Sequence, residues 1–215
     1  LEREKSLDNV PFRKIRQETI NQYKRGGVVS FSWHLDNPLT GKDAWDVSDT
    51  TVVASILPGG VHHAKFKSWL DAVAAFMNTL ETEEGTKIPV IFRPWHEHTG
   101  SWFWWGQNLC TADQYKALWR MTHDRMHARG VKNLLYAYSP GSEPKDSTAY
   151  LERYPGDDII DLVGFDTYQF DRTQYMEQLD KSLAILTEVG KAHDKPIAIT
   201  AVSYTHLTLP TICSV

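Results

Sequence analysis

Short apolar runs alternate along the chain with longer stretches in which apolar residues recur every three or four positions. The runs are VVSFSW (28–33), IPVIFRP (88–94), LLYAY (134–138), DLVGF (161–165) and KPIAIT (195–200). They are brief, continuous and rich in Val, Ile, Phe and Tyr, which predicts strands covered on both faces. Between them, Phe66, Trp69, Leu70, Val73, Phe76, Met77 and Leu80 fall on one helical face. Tyr115, Leu118, Trp119, Thr122 and Met126 do the same, as do Tyr175, Leu179, Leu183 and Leu186. An early helix is expected over 11–24, with Pro11 in its first turn and Phe12, Ile15 and Tyr23 on one face. Thr111 and Gln114 have the spacing of a capping box.

Strand–helix repetition implies parallel strands with right-handed crossovers. A doubly wound sheet would place a Gly-rich turn after an early strand; here Gly26-Gly27 precedes its strand. A barrel gathers polar functional residues just after its strands. His34, the trio His96-Glu97-His98, Ser139, and Asp166 with Tyr168 all stand there. The expected fold is therefore an α/β (β/α)8 TIM barrel. It is expected to be incomplete, with five of eight strands, because five units fill about 200 residues and eight would need more than about 300.

Composition narrows the function classes. The chain has 215 residues and a net charge of −4. Phosphate binding needs a basic face, so nucleic acid is not an expected partner. No apolar run reaches the roughly 18 residues of a membrane span. The two cysteines, Cys110 and Cys213, exclude a disulfide scaffold. P-loop, dinucleotide and G-x-S-x-G patterns are missing, and no cofactor is expected. His123 and His127 lack the glutamate that a zinc-protease helix requires, and no metal site is expected.

The chemistry concentrates in RPWHEHTGSWFWWG (93–106). This string sets a carboxylate, Glu97, at a strand end among aromatic rings. An apolar surrounding favours the neutral, proton-donating form of a carboxyl group. Flat rings also pack on the C–H faces of sugars. Arg93 is placed to hold a second carboxylate. The competing reading is a tryptophan core around a buried ion pair.

Together with FSWHLDNP (31–38) and GFDTY (164–168), this string resembles glycoside hydrolase family 26, and within it the endo-β-1,4-mannanases found in gut Bacteroidetes. The resemblance spans roughly residues 5–200 and implies a retaining glycosidase acting on β-mannan, glucomannan or galactomannan. It implies Glu97 as general acid/base, and His34, His96, Trp102 and Tyr168 as substrate-binding residues. Asp166 and Arg93 are implied as supports. It further implies a monomer exported to periplasm, cell surface or medium, with a polysaccharide as partner. A β-glucanase or xylanase on the same machinery is the alternative, as is a catalytically dead sugar-binding protein using Trp102, Trp104 and Trp105.

One departure from the family pattern matters. There the strand matching KPIAIT is followed by the nucleophilic glutamate, whereas here Thr200 is followed by Ala201. Residues 201–215 also carry no Asp, Glu, Lys or Arg, where about three charges are expected. The chain is accordingly divided into a partial catalytic barrel, 1–200, and a non-native tail, 201–215. Both ends read as cut, and the polypeptide is expected to be inactive.

Overall fold

The computed structural model describes residues 5–6, 8–168 and 172–203. Its centre is a parallel five-stranded sheet: β1 (Val29–Ser32), β2 (Val90–Arg93), β3 (Leu134–Tyr138), β4 (Leu162–Tyr168) and β5 (Ile197–Ser203). Each strand pairs with the next in sequence, giving the order β1-β2-β3-β4-β5. A doubly wound sheet would reverse direction at a switch point. Unbroken sequential order with right-handed crossovers puts the connecting helices on one side, as in a barrel wall. The incomplete barrel expected from the sequence is the fold observed.

The principal helices are α1 (Phe12–Lys24), α3 (His63–Asn78), α4 (Ala112–Ala128) and α6 (Arg172–Ala192). Pro11 is the residue before α1 rather than part of its first turn. Thr111 and Gln114 form the full capping box, each side chain bonding the other's backbone N–H. The predicted apolar stripes face the core: Phe66, Leu70, Val73 and Met77 of α3 are buried, and so are Tyr115, Leu118, Trp119, Thr122 and Met126 of α4. Two helices are too short to show a period: α2 (Val52–Ile56) and α5 (Ser147–Leu151).

Two strands outrun their apolar segments. β4 continues through Asp166, Thr167 and Tyr168, so the functional candidates there lie on the strand rather than after it. β5 continues past Thr200, and Ala201, Val202 and Ser203 pair with Asp166, Thr167 and Tyr168. The first three residues of the expected tail are thus part of the sheet, while residues 204–215 lie outside the described residues. The β4–β5 register shifts between Phe165 and Asp166, skipping Thr200. Gly164 makes room for this bulge, since a Cβ there would meet the Thr200 methyl at 2.6 Å.

Candidate active site

The site is built where β2 ends. Trp95, Glu97 and Ser101 all adopt left-handed backbone conformations, with φ of 57°, 53° and 57°. For residues with a Cβ each such conformation costs about 1–2 kcal/mol. Directed hydrogen bonds offset that cost. Tyr115 Oη donates to the Trp95 carbonyl at 2.6 Å, Glu97 N–H to the Ser139 carbonyl at 2.8 Å, and Trp105 Nε1 to the His96 carbonyl at 2.8 Å. The left-handed residues break the strict alternation of a continuing strand, so His96 and His98 no longer share a face.

Glu97 is 7% exposed. Trp102 Nε1 donates to its Oε2 at 2.9 Å, and the Tyr168 hydroxyl donates to its Oε1. Burial, together with Glu97 itself, pushes the Tyr168 phenol up, so it remains a proton-bearing donor at neutral pH. Trp102 and Tyr168 are each 38% exposed, so the carboxylate sits behind two rings that reach solvent.

A second polar cluster joins β2, β3, β4 and β5. Arg93 Nη1 donates to Asp166 Oδ2 at 2.5 Å, and the Ser139 and Thr200 hydroxyls each donate to Asp166 Oδ1 at 2.7 Å. Arg93 does hold a second carboxylate, as its position on the strand suggested. Burial pushes the Asp166 carboxyl up to about 7, against the pull of Arg93, Thr200 and Ser139. The bulge at Thr200 lets its hydroxyl join this cluster. Ala201, opposite Asp166 in the ladder, contributes a methyl group.

His34 and His96 meet through Nε2 atoms 3.0 Å apart. Burial pushes both imidazoles down, so both are neutral near pH 7 and one must donate to the other. His96 is buried behind His34, while His34 is half-buried and stacks against Trp45 with 9° between the rings. Trp45 is 55% exposed and was not foreseen. Its only sequence signal is a lone tryptophan in the polar loop GKDAWD.

The aromatic string separates into two populations. Trp95, Trp104, Trp105 and Trp119 are fully buried, and Trp102 alone of the five tryptophans between 95 and 119 reaches the surface. A sugar platform including Trp104 and Trp105 is therefore corrected: they pack edge to face with Trp95 in the core, and Trp104 Nε1 is used by the Leu35 carbonyl. His98 is also separated from His96. It lies buried against Tyr115, and burial together with Arg153 pushes its imidazole down to about 3. Arg153, likewise unforeseen, reaches under the tryptophan loop and donates to the carbonyls of Gln107 and Cys110 at 2.8 and 2.9 Å. Among the described residues, no three His, Cys, Asp or Glu side chains converge as metal ligands would.

A parallel barrel wall carrying a carboxylate among exposed rings at the C-terminal strand ends is the layout of barrel glycoside hydrolases. Comparison with known proteins agrees. Residues 7–204 match Glycosyl hydrolase family 26, and the chain belongs to that family. A mannan endo-1,4-beta-mannosidase of Bifidobacterium adolescentis is 40% identical over 200 residues, covering 89% of this chain and 20% of that protein. The mannan endo-1,4-beta-mannosidase A and B of Caldalkalibacillus mannanilyticus is 30% identical, covering 85% of this chain and 35% of that one. Among solved structures, the beta-mannanase BoMan26A from Bacteroides ovatus superposes with a TM-score of 0.93 at 59% identity, covering 94% of this chain and 58% of that chain. The chain thus spans less than two thirds of each of these relatives.

Proposed function

We propose that the protein to which this chain belongs is a retaining endo-β-1,4-mannosidase, and that Glu97 is its general acid/base. The observation that carries this reading is the double clamp on Glu97 at the end of β2: Tyr168 on one oxygen and Trp102 on the other. In the first step Glu97 gives its proton to the glycosidic oxygen as the bond to the anomeric carbon breaks. A carboxylate on the opposite face, about 5–5.5 Å from Glu97, forms the glycosyl ester. Water then attacks that carbon, the ester bond breaks and returns the carboxylate, and the ionised Glu97 takes the proton of the water. Trp102 offers a ring to the sugar, and His34 with Trp45 lines the same mouth. Tyr168 orients the Glu97 carboxylate, and Arg93 with Asp166 braces the strand ends. His96 acts through His34. An enzyme for a polymeric substrate works outside the cytoplasm, in the periplasm, at the cell surface or in the medium. No helix among the described residues is long and apolar enough to cross a membrane.

Besides the further strands of a full barrel, the second carboxylate is what these 215 residues lack on this reading. By the family pattern its position falls at Ala201, which pairs with Asp166 in the ladder, and Asp166 itself is committed to Arg93, Ser139 and Thr200. The polypeptide therefore forms no glycosyl ester and is inactive, and residues from 201 onward are a non-native continuation. Reducing-end release from β-mannan, mixed-linkage β-glucan and xylan tests the reading. The chain as it stands releases none, while Ala201→Glu cleaves mannan in preference to the others. Preferential release from glucan or xylan would move the assignment to another β-glycan. Turnover of mannan by the unaltered chain would overturn the role of position 201.

A further inference from the structure

Trp102 reaches Glu97 only because of what is missing two residues earlier. A Cβ built on Gly100 would lie 1.8 Å from Trp102 Cζ3, 2.0 Å from Cη2 and 2.2 Å from Cε3. The six-membered half of the indole therefore lies directly against the Gly100 backbone. The other half carries Nε1 to Glu97 Oε2. Gly100 is not in a left-handed conformation, so alanine suits its backbone and would meet only the ring.

The backbone has little freedom to retreat. Gly100 N–H donates to the Glu97 carbonyl at 3.2 Å, and the His98 carbonyl accepts from Ser101 and Gln107. Gly106 closes the back of the loop, where a Cβ would meet Ser101 Cα at 2.5 Å. The indole, 38% exposed, is the part that can move, and it can move only outward.

We propose that Gly100 is a positioning residue: its lack of a side chain sets the seat of the Trp102 indole, and with it both the hydrogen bond to Glu97 and the ring face presented to a β-linked pyranose chain. The sugar half of this statement rests on the proposed glycosidase reading, whereas the seating half does not.

The test is Gly100→Ala, alone and combined with Trp102→Ala, in the 215-residue chain. The indole N–H resonance of Trp102, assigned by its loss in W102A, is followed by nitrogen-15 NMR without ligand. It should shift in G100A while the resonances of Trp95, Trp104 and Trp105 stay in place. Mannopentaose affinity should fall about tenfold in G100A and in W102A alike, and the double variant should lose nothing more. Should G100A fold too weakly for NMR, the cycle is read in folding itself: G100A/W102A must fold as stably as W102A. An unmoved Trp102 resonance, or losses that add in the double variant, would overturn the proposal. An unaltered chain that ignores mannopentaose, with the Trp102 resonance still shifting in G100A, would overturn the sugar half of the proposal and leave the seating half intact.

Discussion

At the end of β2 a carboxylate is gripped from both sides, by Trp102 and Tyr168, on a turn that holds three left-handed residues in place. At the end of β5, two strands beyond β4's neighbour β3, the corresponding position is a methyl group on a strand that simply continues to Ser203. The first end is a local construction: one string of residues supplies the strained turn, the buried tryptophans that brace it and the ring that faces solvent. The second depends on a single side chain, because the bulge at Thr200 and the Asp166 cluster already shape the backbone around it. On the proposed reading, a carboxylate restored at position 201 would meet a backbone already shaped around it.

The sharpest way to break that contrast is Ala201→Glu. If the β5 end lacks only its carboxylate, mannan hydrolysis should rise by several orders of magnitude over the parent chain, because covalent catalysis is regained. A reducing-sugar assay checks it. Next in size is Arg93→Met. It leaves Asp166 buried without its cation, which should cost about 3–5 kcal/mol in urea unfolding.

Acid and base separate the two ends by sign. His98, under the β2 loop, has a folded-state pKa near 3 against an ordinary value of 6.5. Between those values the unfolded chain binds the extra proton, so stability is full above about pH 6.5 and falls as the pH drops toward 3. Asp166 works the other way. Its folded-state value near 7 lies above the ordinary 3.8, so its contribution is full below about pH 4 and is lost as the pH rises through 7. Each effect should amount to a few kcal/mol at most. Urea unfolding from pH 3 to pH 8 should show the acid-side loss in both the parent and Asp166→Asn, and the loss toward pH 7 in the parent alone.

Smaller still is Tyr168→Phe, which removes one donor from Glu97. A hydrogen bond to a charged group is worth about 1.5–3 kcal/mol, so turnover in the A201E background should fall roughly 10- to 100-fold. Thr111→Ala, which removes the cap of α4 away from both ends, should cost about 1 kcal/mol of stability and leave sugar binding unchanged.

The wall of the barrel was legible because strands buried on two faces must be apolar, and because α3 and α4 carry their core stripes without interruption. Glu97 drew attention because a charged residue a few positions after such a strand has few structural uses. The apolar run of β4 stops at Phe165, so nothing in hydrophobicity signals that Asp166, Thr167 and Tyr168 remain in the ladder. There Asp166 finds Arg93, Ser139 and Thr200, and Tyr168 finds Glu97. Adjacent tryptophans in an irregular loop carry no period, so Trp102 could not be told from Trp104 and Trp105 in the string alone. The left-handed Glu97 likewise breaks the alternation that would have paired His96 with His98. Arg153 acts on a loop more than forty residues earlier, a contact that only the folded chain brings about.

The most direct test compares A201E with A201E/E97A on two substrates, mannan and an aryl β-mannobioside with a strongly acidic phenol as leaving group. A proton donor matters for the poor leaving group and hardly for the good one. Loss of mannan cleavage, with the first-turnover burst of phenol retained and only its later steady release slowed, is the expected result. Equal mannan cleavage by the two variants would show that Glu97 does not supply the proton.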